Sequence, residues 1–222
     1  MNIIVIDGPA GSGKSSTAKA IANKLGIQYV DSGAIYRAVT LMWLNRGKPT
    51  LEQFFNSLSG DIFEFEFDQN EFKVYLDGED ITDKIRSESV TEHVSEVAAD
   101  KQIRQFVNDL MRNCLKNGAF IADGRDLGTA VFPDARIKFY MDASVEERAK
   151  RRFRELKDSG SDTSLDKLEQ QIRNRDLKDS SRNADPLKKA GDAILIDTTN
   201  LSFDEQVEKI CSVIRNKQLT KT

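Results

Sequence analysis

The chain opens on an apolar run, Ile3-Ile4-Val5-Ile6, too short for a helix and read as a buried strand. From Lys14 onward, Ala18, Ile21, Ala22 and Leu25 share one helical face, and Gly26 stands where a left-handed helix stop is expected. Ile27–Val30 reads as a second strand, followed by a helix from Ala34 to Asn45 and, after the break at Gly47-Lys48-Pro49, a short helix from Leu51 to Leu58. The period then changes. Phe63, Phe65 and Phe67 alternate with Glu64, Glu66 and Asp68, and Phe72, Val74 and Leu76 alternate with Lys73, Tyr75 and Asp77. Period two on both sides of Gln69-Asn70 predicts an antiparallel hairpin, with a third short strand near Ile81.

Helical spacing returns through Val90, Val94, Val97, Ile103, Val107, Leu110, Met111 and Cys114, which predicts a helix from Ser87 to Lys116, bent near Asp100 and closed by Gly118. Ala119–Ala122 and Arg136–Met141 are the next strands. Ser144 with Glu147 has the form of a capping box at the head of a charged helix. A loop around Gly160 separates that helix from a second charged one beginning near Leu165, and Pro186 ends the pair. Ala193–Asp197 is the last strand, and Ser202 with Glu205 caps a final helix through Val207, Ile210, Cys211 and Ile214. Five apolar strands separated by helices predict an α/β fold: a five-stranded, doubly wound parallel sheet in a single domain over residues 1–222, interrupted by an antiparallel insertion at about residues 60–85.

With 222 residues, 39% hydrophobic and 31% charged, the chain is long enough to bury a full core, and its net charge of −3 argues against nucleic acid as a partner. Cys114 and Cys211 occupy apolar helical positions without metal-type spacing and read as buried reduced thiols, as in a cytoplasmic protein. No signal peptide or membrane-spanning run is recognised, and a monomer is the default expectation. The single histidine, His93, is read as a helix-surface or satisfied core residue, which excludes His-dependent triads and His-rich metal sites. Charge stabilisation is left as the chemistry.

The chemistry centres on Gly8-Pro9-Ala10-Gly11-Ser12-Gly13-Lys14-Ser15-Ser16, directly after the first strand. Glycines five apart, then Lys and a hydroxyl residue, let backbone N–H groups wrap a triphosphate at close range. Lys14 supplies a point charge for the β- and γ-phosphates, Ser15 a hydroxyl for Mg²⁺, and the following helix aims its positive end at the same place. The second strand delivers Asp31-Ser32-Gly33 to the edge of the sheet where parallel α/β proteins bind ligands. Asp31 and Ser32 also suit plain helix capping. Arg37, expected in the first turn of the next helix, is an unfavourable cation there and points to an anionic partner. The strand Ala119–Ala122 ends in Asp123-Gly124-Arg125-Asp126, whose Asp123 is the carboxylate needed beside a P-loop for Mg²⁺. The charged helices carry Arg148, Arg151, Arg152, Arg154, Arg173, Arg175 and Arg182. In an acidic protein, such a basic pair suits a lid that closes over phosphates.

Two anion sites facing each other imply phosphoryl transfer from a triphosphate to an acceptor that itself carries phosphate. The Asn-Lys-x-Asp base reader and Asp-x-x-Gly loop of guanine-binding switches do not occur. From the residues alone, another small-molecule P-loop kinase with a different acceptor, such as shikimate, stays open.

The P-loop, with Asp31-Ser32-Gly33-Ala34-Ile35-Tyr36-Arg37, Asp123-Gly124-Arg125-Asp126-Leu127-Gly128-Thr129 and Phe132-Pro133-Asp134-Ala135, resembles bacterial cytidylate kinases over nearly the whole chain. The resemblance implies transfer of the γ-phosphoryl of ATP to CMP or dCMP with Mg²⁺. It implies that Ser95, Arg104 and Asp126 read the cytosine edge, with Ser32, Tyr36 and Asp179 also at the CMP site, the last two near the ribose. Arg37, Arg125 and Arg182, with Arg175 beside them, would hold the acceptor phosphate. It further implies a monophosphate-binding region over residues 34–116 and a lid over residues 148–185. Lys14, Arg125, Arg148, Arg152 and Arg182 would act on the transferred phosphoryl. Ser15-Ser16 stands where some relatives have Gly-Thr, and the change keeps the metal hydroxyl.

Overall fold

The computed structural model describes residues 2–58, 63–68, 71–158 and 163–219. The hairpin turn at Gln69-Asn70 and the loop around Gly160 lie outside the described residues. Strands β1 (Ile3–Asp7), β2 (Gln28–Asp31), β6 (Phe120–Gly124), β7 (Ile137–Asp142) and β8 (Ile194–Asp197) form one five-stranded sheet in the order β2-β6-β1-β7-β8. Every pairing in it is parallel. All of β1 and β6 is buried because helices cover both faces, which explains why these strands read as unbroken apolar runs rather than alternating ones. The parallel register brings Asp7, Asp31 and the Asp123-Gly124 pair to the same edge of the sheet: Ile6 lies opposite Asp123, Asp7 opposite Gly124, and Asp31 opposite Asp123.

Between β2 and β6 the chain forms α2 (Ser32–Asn45), α3 (Leu51–Asn56), the antiparallel strands β3 (Phe63–Phe67), β4 (Phe72–Leu76) and β5 (Glu79–Asp80), then α4 (Glu88–Val97) and α5 (Lys101–Cys114). The small sheet is held by its phenylalanines. Phe65 stacks on Phe72 with ring centroids 5.5 Å apart, and Phe67 meets Phe120 of the main sheet edge-on at 5.6 Å. The Tyr29 N–H donates to the Asp68 carbonyl at 3.1 Å, so the insertion covers the otherwise open edge of β2.

Three boundaries differ from the sequence reading. The Ser87–Lys116 helix is two helices, because the Asp100 carboxylate accepts from the N–H groups of Gln102 and Ile103 and caps a new start. It ends at Cys114, short of Gly118. Helix α2 begins at Ser32, so Tyr36 and Arg37 sit in its second turn and the dipole argument for Arg37 weakens. At Ser144, Glu147 N–H donates to the serine hydroxyl at 3.2 Å, but the Glu147 carboxylate turns to Arg151 and Arg154 and closes no box. The Ser202–Glu205 box forms in both directions. Cys211 is buried, whereas Cys114 is only half-buried. His93 sits on α4 with its ring nitrogens 2.8 Å from the Ser89 carbonyl and 2.9 Å from Lys48 Nζ.

Beyond the P-loop helix α1 (Lys14–Leu25), the helices α6 (Val145–Asp158) and α7 (Leu165–Ser181) stand apart. They pack on a small core of their own around Ala149, Leu168 and Ile172. The last helix, α8 (Phe203–Leu219), returns to the main core through Val207, Ile210, Cys211 and Ile214. Among the described residues no helix is long and apolar enough to cross a membrane.

Candidate active site

One cleft of about 1590 Å³ runs from the P-loop, past the carboxyl ends of β2 and β6, to α4 and α7. It exceeds the roughly 300–1,000 Å³ of a single small-ligand pocket, so it has room for two substrates. Its lining includes Ala10, Gly11, Gly13, Lys14, Ser15, Ser16, Ser32, Tyr36, Arg37, Ser95, Arg104, Asp123, Arg125, Asp126, Arg152, Arg175, Asp179 and Arg182.

Gly8, Pro9 and Ser12 build the loop from behind that wall. At Gly8, with φ +150°, an added Cβ would lie 1.9 Å from the Met141 carbonyl oxygen, so only glycine lets the loop leave the sheet against β7. Ser12 Oγ donates to the Pro9 carbonyl at 3.1 Å, and Ser16 Oγ to the Gly13 carbonyl at 3.0 Å. Lys14 Nζ donates to the Pro9 carbonyl at 2.7 Å. Burial first, and Arg125 next, hold the Lys14 ammonium well below the usual lysine range. A desolvated cation beside another cation is stabilised by an anion, and the backbone around it offers N–H groups to one.

Ser15 Oγ donates to Asp123 Oδ2 at 2.8 Å, and the Tyr29 hydroxyl donates to Asp123 Oδ1 at 2.7 Å. Burial, and then Asp31 beside it, push the Asp123 carboxyl up. A buried carboxylate adjoining a hydroxyl, both hard oxygen donors, fits Mg²⁺. Among the described residues no cluster of three or more His, Cys, Asp or Glu could hold a metal alone, so such an ion would draw its other ligands from phosphate and water.

The arginines divide into three groups. Arg104, fully buried, pairs with Asp126, donates from Nε to Asp185 Oδ2 at 3.0 Å and lies over the Tyr36 ring at 5.3 Å. Arg182 joins this group, donating from Nη2 to Asp126 Oδ1 at 3.0 Å and from Nε to the Asp185 carbonyl at 2.7 Å. Ser95 of α4 lines the same cleft. Nearer the P-loop, Arg125 Nε donates to Asp179 Oδ2 at 3.0 Å. Arg175 lies beside it with a buried Nε that has no hydrogen-bond partner among the described residues, and burial and Arg125 lower its pKa to about 10. The third group is at α2. Arg37 donates to Thr91 Oγ1 at 2.8 Å and to the Ile85 carbonyl, and burial followed by Arg86 lowers its pKa. Asp31 serves as the α2 cap, accepting from Ala34 N–H at 3.0 Å, and also pairs with Arg86 at 2.6 Å. Ser32 Oγ is spent on the Asp123 carbonyl at 2.7 Å.

Arg148 and Arg152, one helical turn apart, differ in environment. Arg148 is buried, donating to the Ala143 carbonyl at 2.9 Å and the Ala10 carbonyl at 3.1 Å and pairing with Asp176 at 2.7 Å. Arg152 is exposed and pairs with Glu155 at 2.9 Å.

Sequence reasoning passed over Asp7, Tyr29, Arg86 and Asp185. Asp7 accepts from the N–H groups of Leu127 at 2.9 Å and Gly128 at 2.7 Å, which fixes the loop carrying Asp126. Burial raises the Asp7 carboxyl to about 6. Its signal was the one used for Asp123, an Asp ending an apolar strand.

The comparisons agree with this geometry. The cytidylate kinase family model matches residues 4–216. A cytidylate kinase of Lactobacillus johnsonii is 44% identical over 97% of this chain and 94% of that protein. One from Clostridium botulinum is 42% identical over 96% of this chain and 97% of that protein. In fold alone, the chain resembles a gluconokinase from Sinorhizobium meliloti, with a TM-score of 0.52, 12% identity, and coverage of 100% of this chain and 98% of that one. A family match over nearly the full length, with relatives above two-fifths identity, places this chain in the cytidylate kinase family.

Proposed function

We propose that this chain transfers the γ-phosphoryl of ATP to the phosphate of CMP or dCMP, giving ADP and CDP or dCDP. The observation that carries the reading is one cleft lined both by the P-loop and by the buried Arg104–Asp126 pair, with Ser95 also on its wall. An arginine donor and a carboxylate acceptor complement cytosine, which offers an exocyclic amino group beside ring acceptors. Arg125 and Arg175 with Arg37 supply cations for the acceptor phosphate. The partnerless Nε of Arg175 supports that role, because a buried N–H without an acceptor is costly. Arg182 bonds to Asp126 and the Asp185 carbonyl, which favours a part in holding the base reader over one on the phosphate. Tyr36 and Asp179 flank the path between base and phosphate and suit the ribose.

Because the acceptor is already an anion, the reaction asks for alignment and charge neutralisation more than for a general base. Lys14 and the loop N–H groups hold the β- and γ-phosphates. Ser15 and Asp123 would hold Mg²⁺, which when bound offsets charge on the phosphates. The separate small core of α6 and α7 supports residues 148–185 as a lid, with Arg152 exposed on its cleft side to swing onto the transferred group. Arg148 would act at one remove, by anchoring the Ala10 carbonyl. Residues 34–116, including the insertion, would form the monophosphate-binding region.

Phosphorus NMR of the protein with MgATP and CMP tests the reading. ADP and CDP should form in equal amounts with no inorganic phosphate. ADP and inorganic phosphate in place of CDP would make the chain a hydrolase.

A further inference from the structure

Arg104 and Asp126 are accompanied by a second carboxylate that no sequence motif contains. Asp185 lies shortly past the end of α7, and its Oδ2 accepts from Arg104 Nε at 3.0 Å. Its backbone is in the left-handed region, at φ +45°, directly before Pro186, where an extended conformation is favoured. Aspartate tolerates that region better than most residues, and Arg182 holds it there, donating from Nε to the Asp185 carbonyl at 2.7 Å and from Nη2 to the same oxygen. Beyond the proline, Leu187 N–H donates to the Asp179 carbonyl at 2.8 Å. A side chain carried on strained backbone beside a binding cleft points to a use for that side chain.

The use follows from how a guanidinium shares its donors. Nε–H and one N–H of Nη2 lie along one edge, and that edge is shaped to grip a single carboxylate with two parallel bonds. In Arg104 the edge is divided: Nε goes to Asp185 and Nη2 to Asp126, while Nη1 donates to the Ala98 carbonyl at 3.0 Å. Asp126 therefore accepts one N–H of Arg104 at Oδ2 and one of Arg182 at Oδ1. A carboxylate has about four acceptor positions, so Asp126 keeps capacity for a ligand. Without Asp185, the freed Nε–H would turn to Asp126 and complete the two-bond grip, consuming that capacity. Resting on the reading above that the cleft takes cytosine, we infer that Asp185 is a specificity-determining positioning residue: by occupying Arg104 Nε, it leaves Asp126 open to the exocyclic amino group of the base. Uracil carries a carbonyl oxygen at that place, so Asp185 acts on the choice between the two pyrimidines and not on MgATP.

Asp185→Gly keeps the left-handed backbone and removes the carboxylate, whereas Asp185→Asn keeps an oxygen for Arg104 Nε in a residue that also adopts this conformation. The test measures the affinities of the wild type and both variants for CMP and UMP by calorimetry, with MgATP alongside. A buried polar contact of this kind corresponds to roughly tenfold in discrimination. Asp185→Gly should lower the CMP-to-UMP affinity ratio by that factor with MgATP affinity unchanged, and Asp185→Asn should keep most of the wild-type ratio. An unchanged ratio in Asp185→Gly would overturn the assignment. So would an equal loss for CMP and UMP, the mark of a residue that only supports the cleft, or an asparagine variant as unselective as the glycine one. A wild type that binds CMP and UMP alike would instead overturn the cytosine reading, and the inference with it.

Discussion

At the scale of single residues, the site rests on a few buried carboxylates, each with a different set of partners. Asp126 accepts from two arginines, Asp123 from two hydroxyls and Asp7 from two backbone N–H groups. Asp126→Asn replaces one acceptor with a donor facing an arginine. It should reduce the preference for CMP over UMP about tenfold, because an unpaired buried polar contact costs about 1–3 kcal/mol. The ratio of kcat/KM for the two acceptors measures this, and an unchanged ratio would remove Asp126 from the base site. Asp7 makes a prediction in pH. Its folded-state pKa of about 6 lies above the ordinary 3.8, so the folded state holds this proton more tightly than the unfolded one. The contribution is full below the unfolded value and is lost as pH rises through about 6. Urea unfolding should therefore show the wild type losing ground to Asp7→Asn between about pH 4 and about pH 7. A pH-independent difference would contradict the raised value.

At the scale of elements, the five strands were legible because parallel strands buried on both faces read as short apolar runs, and the insertion because its period is two. The P-loop and Asp123 were legible because each is a local pattern. What escaped was set by which partner a particular side chain finds. The bend near Asp100 was expected, but its being a full break depends on that carboxylate turning onto the start of the next helix, and Asp185, held at φ +45°, meets Arg104 across 81 positions. Neither leaves a periodic trace. The same limit separates Arg148 from Arg152, four positions apart on one charged helix: only the fold tells which one is buried. Arg148 ties α6 to the P-loop carbonyl of Ala10 and to Asp176 of α7. Removing one partner of a largely buried ion pair is strongly destabilising, so Arg148→Ala should cost about 3 kcal/mol in chemical denaturation. A variant of normal stability with lost turnover would instead make Arg148 a phosphate contact.

At the scale of the whole molecule, parallel register brings three acidic strand ends and the P-loop to one edge, and the crossovers carry the acceptor end and the helical pair to either side of it. Donor and acceptor then share a single cleft, with cations between them. The most direct measurement is an ADP-release assay with MgATP across CMP, dCMP, UMP, AMP, GMP and shikimate. Strong turnover with CMP and dCMP, and little with the others, is expected of a cleft in which Arg104 and Asp126 read cytosine. Equal rates across the panel, or ADP release without acceptor, would contradict it.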